Sequence, residues 1–285
     1  PVDVYFGGAE HTLGHTLYAR FFTKFFHDLG LVNYEEFALK RVQHGIVLGP
    51  DGAKMSKSKG NVINPDEQVR EYGADTVRVY LCFMMPYEAT GPWSHQAIAG
   101  VYRFLKRVWE LYKKSKVKSQ KSKVEEDRNL VVKLNKTIKK VTEDIERIKL
   151  NTAVAAMMEF VNAWEKTLNI KRSTLSIFDA KKFLQILAPF APFLTEEIWR
   201  EVLGEKQSIH LSSWPKAKAV EDEEVIIPIQ VNGKLRGTIK VKNSKSKVKS
   251  FIEEEALKDK KIKKYLEGKK YKFIYIEGKV GNFVV

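Results

Sequence analysis

The run Lys54-Met55-Ser56-Lys57-Ser58, set inside Gly52 to Asn64, decides how the rest of the chain is read. Two lysines flank a small hydroxyl residue, and Gly52 and Gly60 bracket them, so ammonium groups can be laid against a polyphosphate without side-chain obstruction. At Asn64-Pro65-Asp66-Glu67 the pattern changes: Asn64 reads as an N-cap, Pro65 as the first helical residue and Glu67 as the partner in a capping box. The lysines thus sit on a loop for an anionic ligand, anchored at its far end by a helix start.

Upstream, Val2 to Phe6 is a short apolar strand that ends in Gly7-Gly8. Glu10 to Leu29 reads as a helix with Leu13, Leu17, Phe21, Phe25 and Leu29 on one face and Gly30 as its stop. Strand, glycine turn and helix form the local grammar of an α/β nucleotide fold, in which glycines at a strand's carboxyl end let a ribose or phosphate approach the backbone. Gly45 to Leu48 is a second strand candidate, and helices are expected over Pro65 to Tyr72 and Asp75 to Met84.

Downstream of Ser94 the apolar residues recur at helical steps, through Ile98, Val101, Leu105, Val108 and Tyr112 and again through Leu134, Ile138, Val141, Ile145 and Ile148. Asn151 is expected to cap a third helix, and Thr195 with Glu196-Glu197 a short one ending at Gly204. The intervening stretch Lys113 to Lys123 holds no acidic residue and reads as an inter-helix loop, solvated or touching RNA. A boundary falls near Pro215 to Asp222. Beyond it, strands at Val225 to Val231 and Leu235 to Val241 flank the hairpin signal Asn232-Gly233, and a helix near Val248 to Leu266 and two more strands complete a ββαββ unit. The expected architecture is multidomain α/β plus α: residues 1–92, a helical bundle over 93–218, and a small α+β domain over 222–285.

The net charge of +15 favours a polyanionic partner, because lysine and arginine potentials steer nucleic acid and release its counterions. The single cysteine, Cys82, excludes an intrachain disulfide and points to a reducing compartment, hence the cytoplasm. No apolar run reaches membrane-spanning length, so no membrane partner is expected. The chain opens on Pro1, which reads as a fragment, a processed product or a piece of a split enzyme.

Lys54 to Ser58 followed by Lys59-Gly60-Asn61 resembles the second signature of class I aminoacyl-tRNA synthetases, and the fit is to the leucyl branch. Gly7-Gly8-Ala9-Glu10-His11 with His15, Tyr72 to Arg78, Ala188 to Phe193 and Val231 to Gly237 are similar to that branch in the same order. The likeness implies that residues 1–92 end a Rossmann-type catalytic domain, that 93–218 are an anticodon-binding-type bundle, and that 222–285 bind tRNA.

It also implies a reaction. Leucine would be activated by ATP with Mg²⁺ and passed to tRNA(Leu). Lys57, helped by Lys54, would neutralise the departing pyrophosphate; Ser56, Gly7, Gly8 and Glu10 would complete the ATP side; His11 and His15 would line the leucine side. His11 and His15 lie at an i, i+4 spacing that binds zinc elsewhere, but no third ligand follows, so no metal site is expected. Lys234 and Arg236 are the individual tRNA contacts expected in the last domain. The ATP-holding histidine signature and the editing domain would lie upstream of Pro1, in the same chain or in a separate subunit, so this chain alone is not expected to aminoacylate. The alternative is a stand-alone tRNA-binding protein derived from a synthetase, without catalytic activity.

Overall fold

β1 (Val2–Gly8) runs into a 3₁₀ turn at Ala9–His11 and a π turn at Thr12–Thr16 before regular helix begins. In this computed structural model, which describes residues 1–114, 127–171, 174–218, 224–242 and 248–285, that helix is α1 (Leu17–Asp28). The helix expected from Glu10 therefore starts late. The chain returns as β2 (Ala38–His44), parallel to β1 with Val2 opposite Ala38 and Gly8 opposite His44. Parallel neighbours need a crossover, and α1 supplies it.

The apolar stripe of α1 has no cover among the described residues. None of its residues is buried, Phe21 is 62% exposed, and Val2, Val4 and Phe6 of β1 are exposed as well.

β3 (Val47–Leu48) leads through the lysine loop to α2 (Pro65–Tyr72) and α3 (Ala74–Phe83), and then pairs in parallel with β4 (Gly91–Pro92). Asn64 caps α2 as expected, its side chain accepting from the Asp66 amide at 3.0 Å, but Glu67 makes no reciprocal bond. Then come α4 (His95–Lys114), α5 (Arg128–Glu146), α6 (Leu150–Lys171), α7 (Ile177–Leu187) and α8 (Pro192–Glu197). These helices share one core with α3, in which Trp164 is fully buried, donates from Nε1 to the Thr174 hydroxyl at 2.8 Å and packs on Tyr112, Phe160 and Phe183. Burying each such side chain stabilises by about 1.5–3 kcal/mol. Across the bundle, Arg107 of α4 grips the Glu165 carboxylate of α6. Most of the Lys113 to Lys123 stretch lies outside the described residues.

Three local expectations are corrected. Ile148 is not on α5: the helix stops at Glu146, and Ile148 takes a positive φ of 57°. Asn151 is not a cap, because α6 already begins at Leu150. Thr195 lies inside α8 and donates its hydroxyl to the Ala191 carbonyl at 2.9 Å, as a hydroxyl within a helix often does. The start of α8 is served instead by Asp75, whose carboxylate accepts from the Leu194 amide at 2.6 Å and the Phe193 amide at 3.3 Å.

By its internal packing the chain divides into Pro1–Ala217 and Lys218–Val285. The second unit holds β5 (Glu224–Val231), β6 (Lys234–Lys242), α9 (Lys249–Lys258), α10 (Lys260–Leu266), β7 (Lys272–Ile276) and β8 (Val280–Val284), with sheet order β6-β5-β8-β7. Its own core is built on Ile227, Ile229, Ile252, Ile262 and Phe283. Asn232 and Gly233 both have positive φ, as the tight hairpin turn requires. The expected single helix is broken at Asp259, whose carboxylate caps α10.

Candidate active site

The lysine loop has a fixed backbone and free cations. Leu48 bridges to Lys54, and the Gly49 amide donates to the Ala53 carbonyl at 2.8 Å, which closes the first limb. Asn61 then ties both limbs together. Its Nδ2 donates to the Asp51 carboxylate at 3.1 Å, and its Oδ1 accepts from the Ser56 amide at 2.9 Å. Hydrogen bonds from the Ala53 amide and the Asn61 amide group hold the Asp51 carboxyl below the usual carboxylate range. Gly49 is glycine for want of room: a Cβ there would come within 2.7 Å of the Asp51 carboxylate and 2.9 Å of Asn61 Nδ2.

Met55 packs against the main core, while Lys54 and Lys57 are exposed and make no ion pair among the described residues. Lys57 opens a short 3₁₀ turn, Lys57–Lys59, stopped by Gly60 at a φ of 67°. The Ser56 and Ser58 hydroxyls share a hydrogen bond at 2.8 Å.

At the end of β1, the Glu10 carboxylate folds back over Gly8. A Cβ on Gly8 would lie 2.6 Å from Glu10 Oε2 and 3.3 Å from the His44 ring, so a side chain there would push the Glu10 carboxylate aside. Gly7 has no such crowding. Glu10 is held below the usual carboxylate range chiefly by its own backbone amide; desolvation works against this, and the charges of His11, Lys54 and His44 add to it. Gly8, Glu10, His44 and Lys54 are thus brought together.

His15 shares a hydrogen bond with the Tyr5 hydroxyl and stacks on that ring at 5.7 Å between centroids, whereas His11 is exposed. The two histidines do not lie one turn apart on a regular helix face, because a 3₁₀ turn and a π turn separate them. Among the described residues no group of three His, Cys, Asp or Glu converges. Lys234 and Arg236 lie in the second unit. Lys234 is exposed, and the Arg236 guanidinium sits over the Tyr265 ring at 4.2 Å.

His44 was not singled out in the sequence. The run Ala38–His44 that ends in it shows no apolar alternation, so nothing in the sequence marked the strand. Its ring meets the edge of Tyr87, and its Nδ1 lies 2.8 Å from the Gly45 carbonyl.

Residues 16–92 match the family model described as tRNA synthetases class I (I, L, M and V), and residues 127–252 match that of the anticodon-binding domain of tRNA ligase. Over these two stretches the chain is similar to class I tRNA synthetases, and among them to leucine-tRNA ligases. That of Caldanaerobacter subterraneus is 40% identical and that of Deinococcus radiodurans 39%, each over 100% of this chain. The chain spans 36% and 35% of the length of those relatives, at their C-terminal part. A solved LeuRS of Agrobacterium radiobacter, in a ternary complex with tRNA and LeuAMS, superposes with a TM-score of 0.85 at 31% identity, covering 99% of this chain and 38% of that one. A methionyl-tRNA synthetase of Mycobacterium tuberculosis, at 17% identity and a TM-score of 0.53 over 74% of this chain and 50% of that one, shares the fold. Among the described residues no helix is long and apolar enough to cross a membrane.

Proposed function

We propose that this chain supplies a leucine-tRNA ligase with its lysine loop, part of its adenylate pocket and its tRNA-binding region. The observation that carries this reading is the pinned loop: Asn61 fixes its backbone while Lys54 and Lys57 stay exposed and unpaired, with Lys54 near enough to Glu10 to lower its pKa. In the activation step a leucine carboxylate oxygen bonds to the α-phosphorus of ATP and the bond to pyrophosphate breaks. Charge builds on the leaving oxygens, where Lys57, aided by Lys54, is suited to receive it. Glu10 would accept from ribose hydroxyls beside the backbone of Gly7 and Gly8, Ser56 would bond a phosphate oxygen, and His11 and His15 would line the leucine side. Mg²⁺ would accompany ATP and share with Lys54 and Lys57 the neutralisation of charge on its phosphates.

Residues 1–92 then form the end of the catalytic domain, 93–218 the anticodon-binding-type bundle and 222–285 a tRNA-binding domain. The partner substrates are tRNA(Leu) and leucine, and the place of work is the cytoplasm. The uncovered apolar faces of β1 and α1, together with the greater length of the relatives, support a catalytic and editing half that packs there, upstream in the chain or as a separate subunit.

The test is Lys57→Ala in the complete enzyme. Leucine-dependent ATP–pyrophosphate exchange should fall by about 10²- to 10³-fold, the scale for losing one preorganised donor, with leucine affinity little changed. Exchange within threefold of the parent would remove Lys57 from the chemistry.

A further inference from the structure

Among the described residues, the strand that feeds the lysine loop lies outside the sheet of β1 and β2. Directly after β2 the chain is taken over by the segment ahead of α4. The Gly45 amide donates to the Tyr87 carbonyl at 2.9 Å and the Ile46 amide to the Thr90 hydroxyl at 3.2 Å. In return the Gly91 amide donates to the Ile46 carbonyl at 3.2 Å and the Trp93 amide to the Leu48 carbonyl at 2.9 Å. A Cβ on Gly45 would fall 1.6 Å from the Ala89 carbonyl oxygen, a backbone atom that cannot swing aside, so the two segments lie this close only because residue 45 is glycine. The stem of the loop is therefore held by whatever holds Tyr87 to Trp93.

Trp93 anchors that segment. It is 6% exposed, and its ring meets the fully buried Tyr80 of α3 edge-on at 4.7 Å between centroids. The Tyr80 hydroxyl accepts from the Ser94 amide at 2.8 Å, and the Ser94 hydroxyl accepts from the Ala97 amide at 3.2 Å in the first turn of α4. Side chain and backbone at 93–94 are thus both fastened to one tyrosine of the main core. From there the path to the site is short: the Trp93 amide bonds Leu48, and Leu48 bridges to Lys54. Among the described residues the indole Nε1 is buried without an acceptor, which costs free energy that an apolar residue in the same place would not incur. Packing alone gives no reason for this side chain, so its broad ring serves the placement of the strand beside it.

We propose that Trp93 is a positioning residue for Lys54 in the activation step: seated on Tyr80, it fixes Leu48, and through Leu48 the backbone from which the Lys54 ammonium reaches the phosphates. A group set about 1 Å from its productive place can lose about 10²-fold in rate, so a side chain that touches no substrate can govern the step. This rests on the function proposed above.

The experiment follows leucine-dependent ATP–pyrophosphate exchange in the complete enzyme for Trp93→Leu, Trp93→Phe, Lys54→Ala and Trp93→Leu combined with Lys54→Ala, with urea unfolding of each. Trp93→Leu should lower kcat about tenfold or more while KM for leucine and for ATP stays within about twofold, the pattern of a contact made only in the transition state. Trp93→Phe, whose smaller ring still meets Tyr80, should recover much of the rate. Added to Lys54→Ala, the leucine substitution should slow exchange by no more than about twofold, because the group it positions is already gone. Equal losses in both backgrounds would overturn the proposal, since they would mean that the ring only supports the core. So would a parental kcat in folded Trp93→Leu, or Trp93→Phe as slow as Trp93→Leu. Should Trp93→Leu not fold, Tyr80→Phe takes its place in both backgrounds: it removes only the hydroxyl that holds Ser94, and a parental kcat there would overturn the proposal equally. Parental exchange in Lys54→Ala would sink the reading of the loop and this inference together, whereas slow Lys54→Ala beside unaffected Trp93→Leu sinks the positioning alone.

Discussion

Asn61 shows how one neutral side chain sets the geometry of two charged ones. Its amide spans the loop from Asp51 to Ser56, so the lysines need no partner of their own to be placed. Asn61→Ala should cut pyrophosphate exchange by about tenfold, the equivalent of a net hydrogen bond or so, while urea unfolding moves little because the loop lies at the surface and Asn61 is only half-buried. Exchange within twofold of the parent would mean that Met55 and the backbone bonds suffice to hold the loop. In the second unit, Lys234 and Arg236 are unequal despite their similar charge. Arg236 is committed to Tyr265 through its ring and, at 3.3 Å, its hydroxyl, whereas Lys234 is free to meet a phosphate. Lys234→Ala should flatten the salt dependence of tRNA binding by nearly one unit without loss of stability. Arg236→Ala should in addition cost about 0.5–1 kcal/mol in unfolding experiments, because the cation–π attraction to Tyr265 is removed.

At the scale of elements, the stretches Tyr72 to Arg78 and Ala188 to Phe193 turn out to clasp each other. Asp75 caps α8, and Arg78 donates to the Pro189 carbonyl at 3.0 Å. Asp75→Ala should destabilise the first unit by about 0.5–2 kcal/mol, the range for removal of an N-cap. The carboxyl is raised above its usual value because desolvation outweighs the two amide bonds and the nearby Arg78. The folded form thus keeps this proton to higher pH than the unfolded one, so the contribution of Asp75 to stability declines as pH rises upward from the ordinary carboxylate range. Asp75→Asn should remove that slope, read from urea midpoints across the acidic range. This cap also explains an error of sequence reading. Thr195 resembles a cap for α8 because caps are sought locally, and the true acceptor lies far upstream, with nothing near α8 to announce it. The bundle helices, the Asn64 cap and the Asn232-Gly233 hairpin were legible, since each is written in a local period or a backbone preference. β2 was not, because its pairing with β1 is non-local and Lys40, Arg41 and Gln43 leave it without an apolar alternation. His44 went unseen with it.

At the scale of the whole molecule, the two cores are separate sets of residues. Removing Lys218–Val285 should leave the first unit folded and leucine activation nearly intact in the complete enzyme, while charging of tRNA falls sharply and the salt slope of tRNA binding becomes shallower. Equal slopes and equal charging would show that the basic domain does not touch tRNA. The bare phenylalanines of α1 have a further consequence, for the colloidal behaviour of the chain when it is alone. A net charge of +15 keeps copies apart by mutual repulsion, but added salt shortens the reach of that repulsion to about 10 Å at 0.1 M and about 3 Å at 1 M. The apolar attraction it opposes is not screened. Isolated chain should therefore scatter more light as salt is raised, the reverse of a protein salted in, and Phe21→Ser with Phe25→Ser should abolish the rise.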